Sequence, residues 1–114
     1  MYEIQEYSVK YQDARLSSPR EEEIASNFFI LLRENFREQH SVQFYSDALY
    51  ISRKYLTKVI IKTLSKSPKE AINDMLLVEA KLLLRNSNQN INQISNILNF
   101  SNQQIFNKFF KKMT

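Results

Sequence analysis

None of the 114 residues is glycine and only two are proline. These residue types are the usual punctuation of loops and tight turns, so the chain offers few obvious places to reverse. Strand signals are equally weak, because β-branched and aromatic residues nowhere alternate with polar ones over a long run. An all-α fold is expected, as one domain or as two small subdomains sharing a connector. Cysteine is also absent, which excludes a disulfide framework and a thiolate metal site and fits a reducing cytoplasm. The longest apolar runs, such as 28–32, span four or five residues, whereas a membrane span needs roughly 20. No signal peptide is visible. A soluble, cytoplasmic protein without a membrane partner is expected.

Net charge is +4, but it is unevenly distributed. Residues 1–50 carry five Lys/Arg against nine Asp/Glu, and residues 51–114 carry eleven against three, a balance of −4 followed by +8. The second half would attract a polyanion, for which nucleic acid is the usual candidate. A solvated basic surface with no partner has the same composition.

Residues 1–17 show no clear period and read as a linker or the remnant of a preceding domain. The first start signal is Ser18-Pro19-Arg20-Glu21: a cap, a proline suited to the first helical position, and a glutamate that can reach back. Ile24, Phe28, Leu31, Leu32 and Phe36 then mark one face of a helix to about Glu38. A short helix is expected over Val42 to Leu49, with Phe44, Ala48 and Leu49 inward. Tyr50-Ile51 form a turn, and Ser52 caps a third helix from Arg53 to Leu64, whose inner face is Leu56, Val59, Ile60 and the Thr63/Leu64 end.

Ser67-Pro68-Lys69-Glu70 repeats the start signal and opens a long helix to about Arg85, with Ile72, Met75, Leu76, Ala80, Leu83 and Leu84 apolar. After the polar stretch 86–90, a short helix is expected over Ile91 to Leu98, with Ile94, Ile97 and Leu98 inward. Asn99-Phe100 turn the chain, Asn tolerating the left-handed conformation well. Ser101 is expected to cap a last helix from about Asn102 to Lys112, with Phe106, Phe109 and Phe110 as its core face.

The chain therefore contains an internal repeat. Ala48-Leu49-Tyr50-Ile51-Ser52 parallels Ile97-Leu98-Asn99-Phe100-Ser101 at an offset of 49, and Leu56-Thr57-Lys58-Val59-Ile60 parallels Phe106-Asn107-Lys108-Phe109-Phe110 at an offset of 50. The second copy has one extra residue at the start of its outer helix. Two helices joined by a tight turn make a helix-turn-helix unit, whose second helix can enter the major groove. One such pattern is weak evidence; two copies joined by a capped helix, each with a cationic outer helix, are much stronger.

Three stretches together resemble the AraC family of bacterial transcription regulators: 45–58, from Tyr45-Ser46-Asp47 to Thr57-Lys58; the linker helix from Lys66-Ser67-Pro68 through Leu84; and 91–112, from Ile91-Asn92-Gln93 to Lys111-Lys112. The turn Asn99-Phe100-Ser101 is similar to that of Bacteroidetes-type members. The resemblance implies a homeodomain-like, AraC-type architecture: a linker or remnant over 1–17, a first helix-turn-helix subdomain over 18–66, a linker helix over 67–86 and a second subdomain over 87–114. The chain departs from the family at Asn99, where Gly is usual, and at Leu76, where Arg is frequent. The family also continues past Thr114 with a Gly, a Pro and a short helix, so a clipped second subdomain is expected. So is a missing N-terminal sensor or dimerisation domain.

The resemblance further implies binding of double-stranded DNA at a bipartite operator, with RNA polymerase as a further partner and no cofactor or metal. Base-reading candidates are Arg53, Lys54, Thr57 and Lys58 on the first outer helix and Gln103, Gln104, Asn107 and Lys108 on the second. Arg and Lys donate to guanine, Thr can touch a thymine methyl, and Gln and Asn can pair with adenine. Each basic residue has phosphate anchoring as its alternative, and Gln104 could instead complete a capping box with Ser101. Phosphate candidates are Ser52, Lys62, Arg85, Ser101, Lys111 and Lys112, with helix N-terminal amides at the two serines.

Other function classes have less support. The single histidine, His40, lies in a polar break, and the 21–23 glutamate run opens a helix, where negative charge is favourable anyway. No nucleophile–base constellation and no phosphate-cradling Gly loop exist, so an enzyme is not expected. A helical protein-interaction module would use the apolar face around Phe28 and Leu32, and a non-specific nucleic-acid binder would scatter its cations off the outer helices.

Overall fold

The computed structural model describes residues 18–114, so the expectation for 1–17 lies outside the described residues. Six helices follow in order: α1 (Pro19–Asn35), α2 (Val42–Ala48), α3 (Arg53–Leu64), α4 (Pro68–Asn86), α5 (Ile91–Ile97) and α6 (Gln103–Met113). The described residues are all helix and connecting turns, as the sequence implies. They form two compact units.

The first unit comprises 18–34 and Ser41–Pro68. Helix α1 opens on the capping box read from the sequence: Ser18 Oγ accepts from the Glu21 amide at 3.1 Å, and Glu21 Oε1 accepts from the Ser18 amide at 2.9 Å. That amide, and then Lys62, hold the Glu21 carboxyl below its ordinary range. Ile24, Ala25, Phe28 and Leu32 are buried. The helix stops at Asn35, short of the expected Glu38, because the amides of Glu38 and Gln39 both turn back to the Asn35 carbonyl.

In α2 the inward face differs from the one expected. Tyr45 and Ser46 are the buried residues, while Phe44 is half-buried and Ala48 exposed. The helix is rotated so that the Tyr45 ring lies edge-on to Phe28 at 5.5 Å and to Phe44 at 5.0 Å. Burial pushes its phenol pKa up to about 12. Helix α2 packs on α3, whose buried residues are Leu56, Val59 and Ile60. The expected inward end of α3 is looser, with Leu64 38% exposed. The helix terminates at Ser65, which adopts the left-handed conformation at φ 62°.

The second unit comprises Asn35–His40 and Lys69–Thr114. Helix α4 buries Ala71, Ile72, Leu76 and Ala80, whereas Leu84, expected inward, is 38% exposed. Helix α5 opens on a capping box absent from the sequence reading: Asn90 Oδ1 accepts from the Gln93 amide at 2.8 Å, and Gln93 Oε1 accepts from the Asn90 amide at 2.9 Å. It packs on α6 around Ile94, Leu98 and Phe106, all buried, and the Phe100 ring contacts those of Phe106 and Phe109 at 5.2 Å each.

The cap of α6 is Asn102 and not Ser101. Asn102 Oδ1 accepts from the Ile105 amide at 2.9 Å, as Ser52 Oγ accepts from the Tyr55 amide at 3.0 Å in the first unit. The reason lies in the repeat itself. The turns align at an offset of 49 but the outer helices at 50, so the extra residue moves the cap from Ser101 to Asn102.

Candidate nucleic-acid interface

The two turns are duplicates at the level of individual hydrogen bonds. The Leu49 amide donates to the Tyr45 carbonyl and Leu98 to Ile94; Tyr50 to Asp47 and Asn99 to Asn96; Ile51 to Ser46 and Phe100 to Ser95. Ser46 and Ser95 are both fully buried, and each hydroxyl donates to the carbonyl three residues back, Gln43 at 3.1 Å and Asn92 at 3.2 Å. Small hydroxyl residues fit here because the turn passes directly over them and a buried polar atom must find a partner. Tyr50 and Asn99 occupy the left-handed region at φ 59° and 62°. In each unit the same short helix and reversal hold an outer helix in place.

The outer faces of α3 and α6 are open to solvent. Arg53, Lys54 and Lys58 are exposed and Thr57 is half-buried. Thr57 Oγ1 donates to the Arg53 carbonyl at 2.9 Å, so what it presents outward is a methyl group and an accepting oxygen. On α6, Gln103, Gln104, Asn107 and Lys108 are all exposed. With the cap at Asn102, the capping box considered for Gln104 with Ser101 does not form. The sequence from 48 to 69 contains no Asp or Glu, nor does that from 80 to 114, so neither outer helix carries an acid that would repel phosphate.

The phosphate candidates fall into different situations. Arg85, Ser101, Lys111 and Lys112 are exposed. Ser52 is exposed, but its hydroxyl already caps α3. Lys62 is paired with Glu21 at 3.1 Å, so any phosphate would have to compete with that carboxylate. Two further exposed residues adjoin this face. Ile61, 50% exposed, continues the outer stripe of α3 at helical spacing from Lys54 and Lys58. Tyr50, 95% exposed, stands in the turn just before α3. The spacing pointed to Ile61; nothing local marked Tyr50.

In the second unit, residues 35–40 brace the turn. The Asn99 side-chain amide donates to the Arg37 carbonyl at 2.8 Å, Arg37 is paired with Glu79, and the His40 ring lies 5.2 Å from that of Phe100. Desolvation lowers the His40 pKa, and Lys69 adds to this, against the pull of the Arg37 and Leu98 carbonyls. His40, though it lies in a polar break of the sequence, is half-buried. Among the described residues no group of three or more His, Cys, Asp or Glu could hold a metal ion, and no helix is long and apolar enough to cross a membrane.

Comparisons with known proteins agree with this geometry. The profile of a family described as a helix-turn-helix domain matches residues 45–114. The chain is similar to YisR, an HTH-type transcriptional regulator of Bacillus subtilis (strain 168), with 26% identity over 82 residues, 72% of this chain; it spans only 29% of that relative's length. The crystal structure of the C-terminal domain of the two-component response regulator yesN from Fusobacterium nucleatum has the same fold. Its TM-score is 0.72 at 23% identity, covering 84% of this chain and 98% of that one.

Proposed function

The chain belongs to that helix-turn-helix family, in its AraC type, and we propose that it binds double-stranded DNA sequence-specifically to regulate transcription. The family is one of DNA-binding regulators and not an enzyme class. The observation that carries the reading is the duplication described above. Two turns built from the same hydrogen bonds each present an outer helix with cationic or amide side chains and no acidic residue.

In this reading α3 and α6 enter successive major grooves, roughly 34 Å apart along one face of the duplex, with α4 holding the spacing. One chain then reads a bipartite operator without two-fold symmetry. Arg53, Lys54, Thr57 and Lys58 read one half, and Gln103, Gln104, Asn107 and Lys108 the other. The two sets differ in chemistry. The first suits guanine N7/O6 with a thymine methyl beside it, and the second suits adenine N6/N7. Arg85, Lys111 and Lys112 anchor phosphates, and Lys62 does so only by leaving Glu21. The regulatory input and any contact with RNA polymerase belong to this proposal too, the former supplied by a sensor or dimerisation domain of the whole protein.

Lys58 gives a direct test. Lys58→Ala should weaken binding by about 1–3 kcal/mol and relax the preference at one base pair. Anisotropy titrations against duplexes differing at single positions, at several salt concentrations, measure both effects. An equal loss on every sequence, with a salt slope smaller by about one, would move Lys58 to the phosphate set.

A further inference from the structure

Tyr50 is held in a conformation that suits it poorly and is given no role in the fold. Its φ of 59° places it in the left-handed region, which is unfavourable for a residue with a Cβ and which Asn tolerates better. The matching residue of the second turn is Asn99, whose side-chain amide is spent on the Arg37 and Ile97 carbonyls at 2.8 and 3.4 Å. For the Tyr50 side chain no such contact is seen, and the residue is 95% exposed. Among the described residues it is the one aromatic side chain that is exposed and not at least half-buried. An aromatic side chain so exposed buries almost no apolar surface, and observed strain of this kind points toward function.

Its position supplies the function. Tyr50 lies two residues before the cap of α3 and three and four before Arg53 and Lys54, so at about 3.8 Å between successive Cα atoms it flanks the N-terminal end of that helix. No acidic residue occurs from 48 to 69, and the nearest in sequence, Asp47, is engaged by Gln43 Nε2 at 2.8 Å.

We propose that Tyr50 is a DNA-positioning residue whose phenol hydroxyl donates a hydrogen bond to a backbone phosphate beside the groove that α3 enters. This rests on the DNA-binding reading above and adds a neutral anchor that composition and charge do not reveal. Phosphate contacts fix the register of a reading helix without specifying sequence, so Tyr50 sets where Arg53 and Lys54 fall on the bases.

The test compares the parent chain with Tyr50→Phe and Tyr50→Asn on a labelled mixed-sequence duplex, by anisotropy at several salt concentrations, with thermal melts alongside. Both variants should lose about 10- to 150-fold in affinity, the range for a hydrogen bond to a charged acceptor. The salt slope should not change, because no charge is removed. Tyr50→Asn should melt no lower than the parent, which separates the lost contact from lost folding. A Tyr50→Phe chain that binds like the parent overturns the proposal while leaving the DNA-binding reading intact. A parent chain that binds no duplex at low salt overturns both.

Discussion

At the scale of single residues, a chain without glycine still needs left-handed positions, and among the described residues Tyr50, Ser65 and Asn99 fill them. Only Asn99 was legible beforehand, because asparagine is a recognised substitute; Tyr and Ser carry no such signal, and the need arises from how the helices end. Ser65→Gly should therefore stabilise the chain by about 1 kcal/mol, read as a higher urea midpoint at unchanged slope; a lower midpoint would mean that the Ser65 side chain has a role. The packing of His40 on Phe100 was not legible either, since it joins positions 60 apart. Its folded-state pKa lies below the ordinary 6.5. The neutral ring thus contributes stability that is present above pH 6.5 and is lost as pH falls through the depressed value. Melts from neutral pH to about 5 should show the parent losing more stability than His40→Gln, and parallel curves would contradict this.

At the scale of helices, the apolar period and the start signals were enough to find all six elements. On α3 and α6 they located Leu56, Val59, Ile60 and Phe106, which are buried as expected, but Leu64 is 38% exposed and Thr63, Phe109 and Phe110 are only half-buried. They were insufficient for α2, where seven residues make too short a pattern to choose between Phe44 and Tyr45 as the inward ring. The cap of α6 was misassigned for a different reason. Ser101 is the better residue by position in the turn, but the one-residue insertion decides which side chain meets the third amide. Asn102→Ala should cost about 1 kcal/mol, in the usual range for an N-cap, and Ser101→Ala much less. Urea titrations of the two variants compare them directly, and equal losses would return the cap to Ser101.

At the scale of the whole molecule, the charge asymmetry and the internal repeat were readable at once, and both pointed to DNA. The base-reading candidates were chosen from outer-face positions, and all except the half-buried Thr57 are exposed on α3 or α6. The partition into units was not fully legible. Asn35, the last residue of α1, and residues 36–40 after it belong to the second unit, through contacts such as the Asn99 side chain on the Arg37 carbonyl, 62 residues away. No local period reports a contact of that range. The central claim is that one chain reads two half-sites. The most direct measurement is selection of bound duplexes from a randomised pool at several salt concentrations. A chain that reads two half-sites enriches two short elements spaced by about one DNA turn, roughly 10 base pairs. Salt-sensitive retention without enrichment would contradict that claim and leave a non-specific basic binder, and no retention at low salt would remove DNA as the ligand.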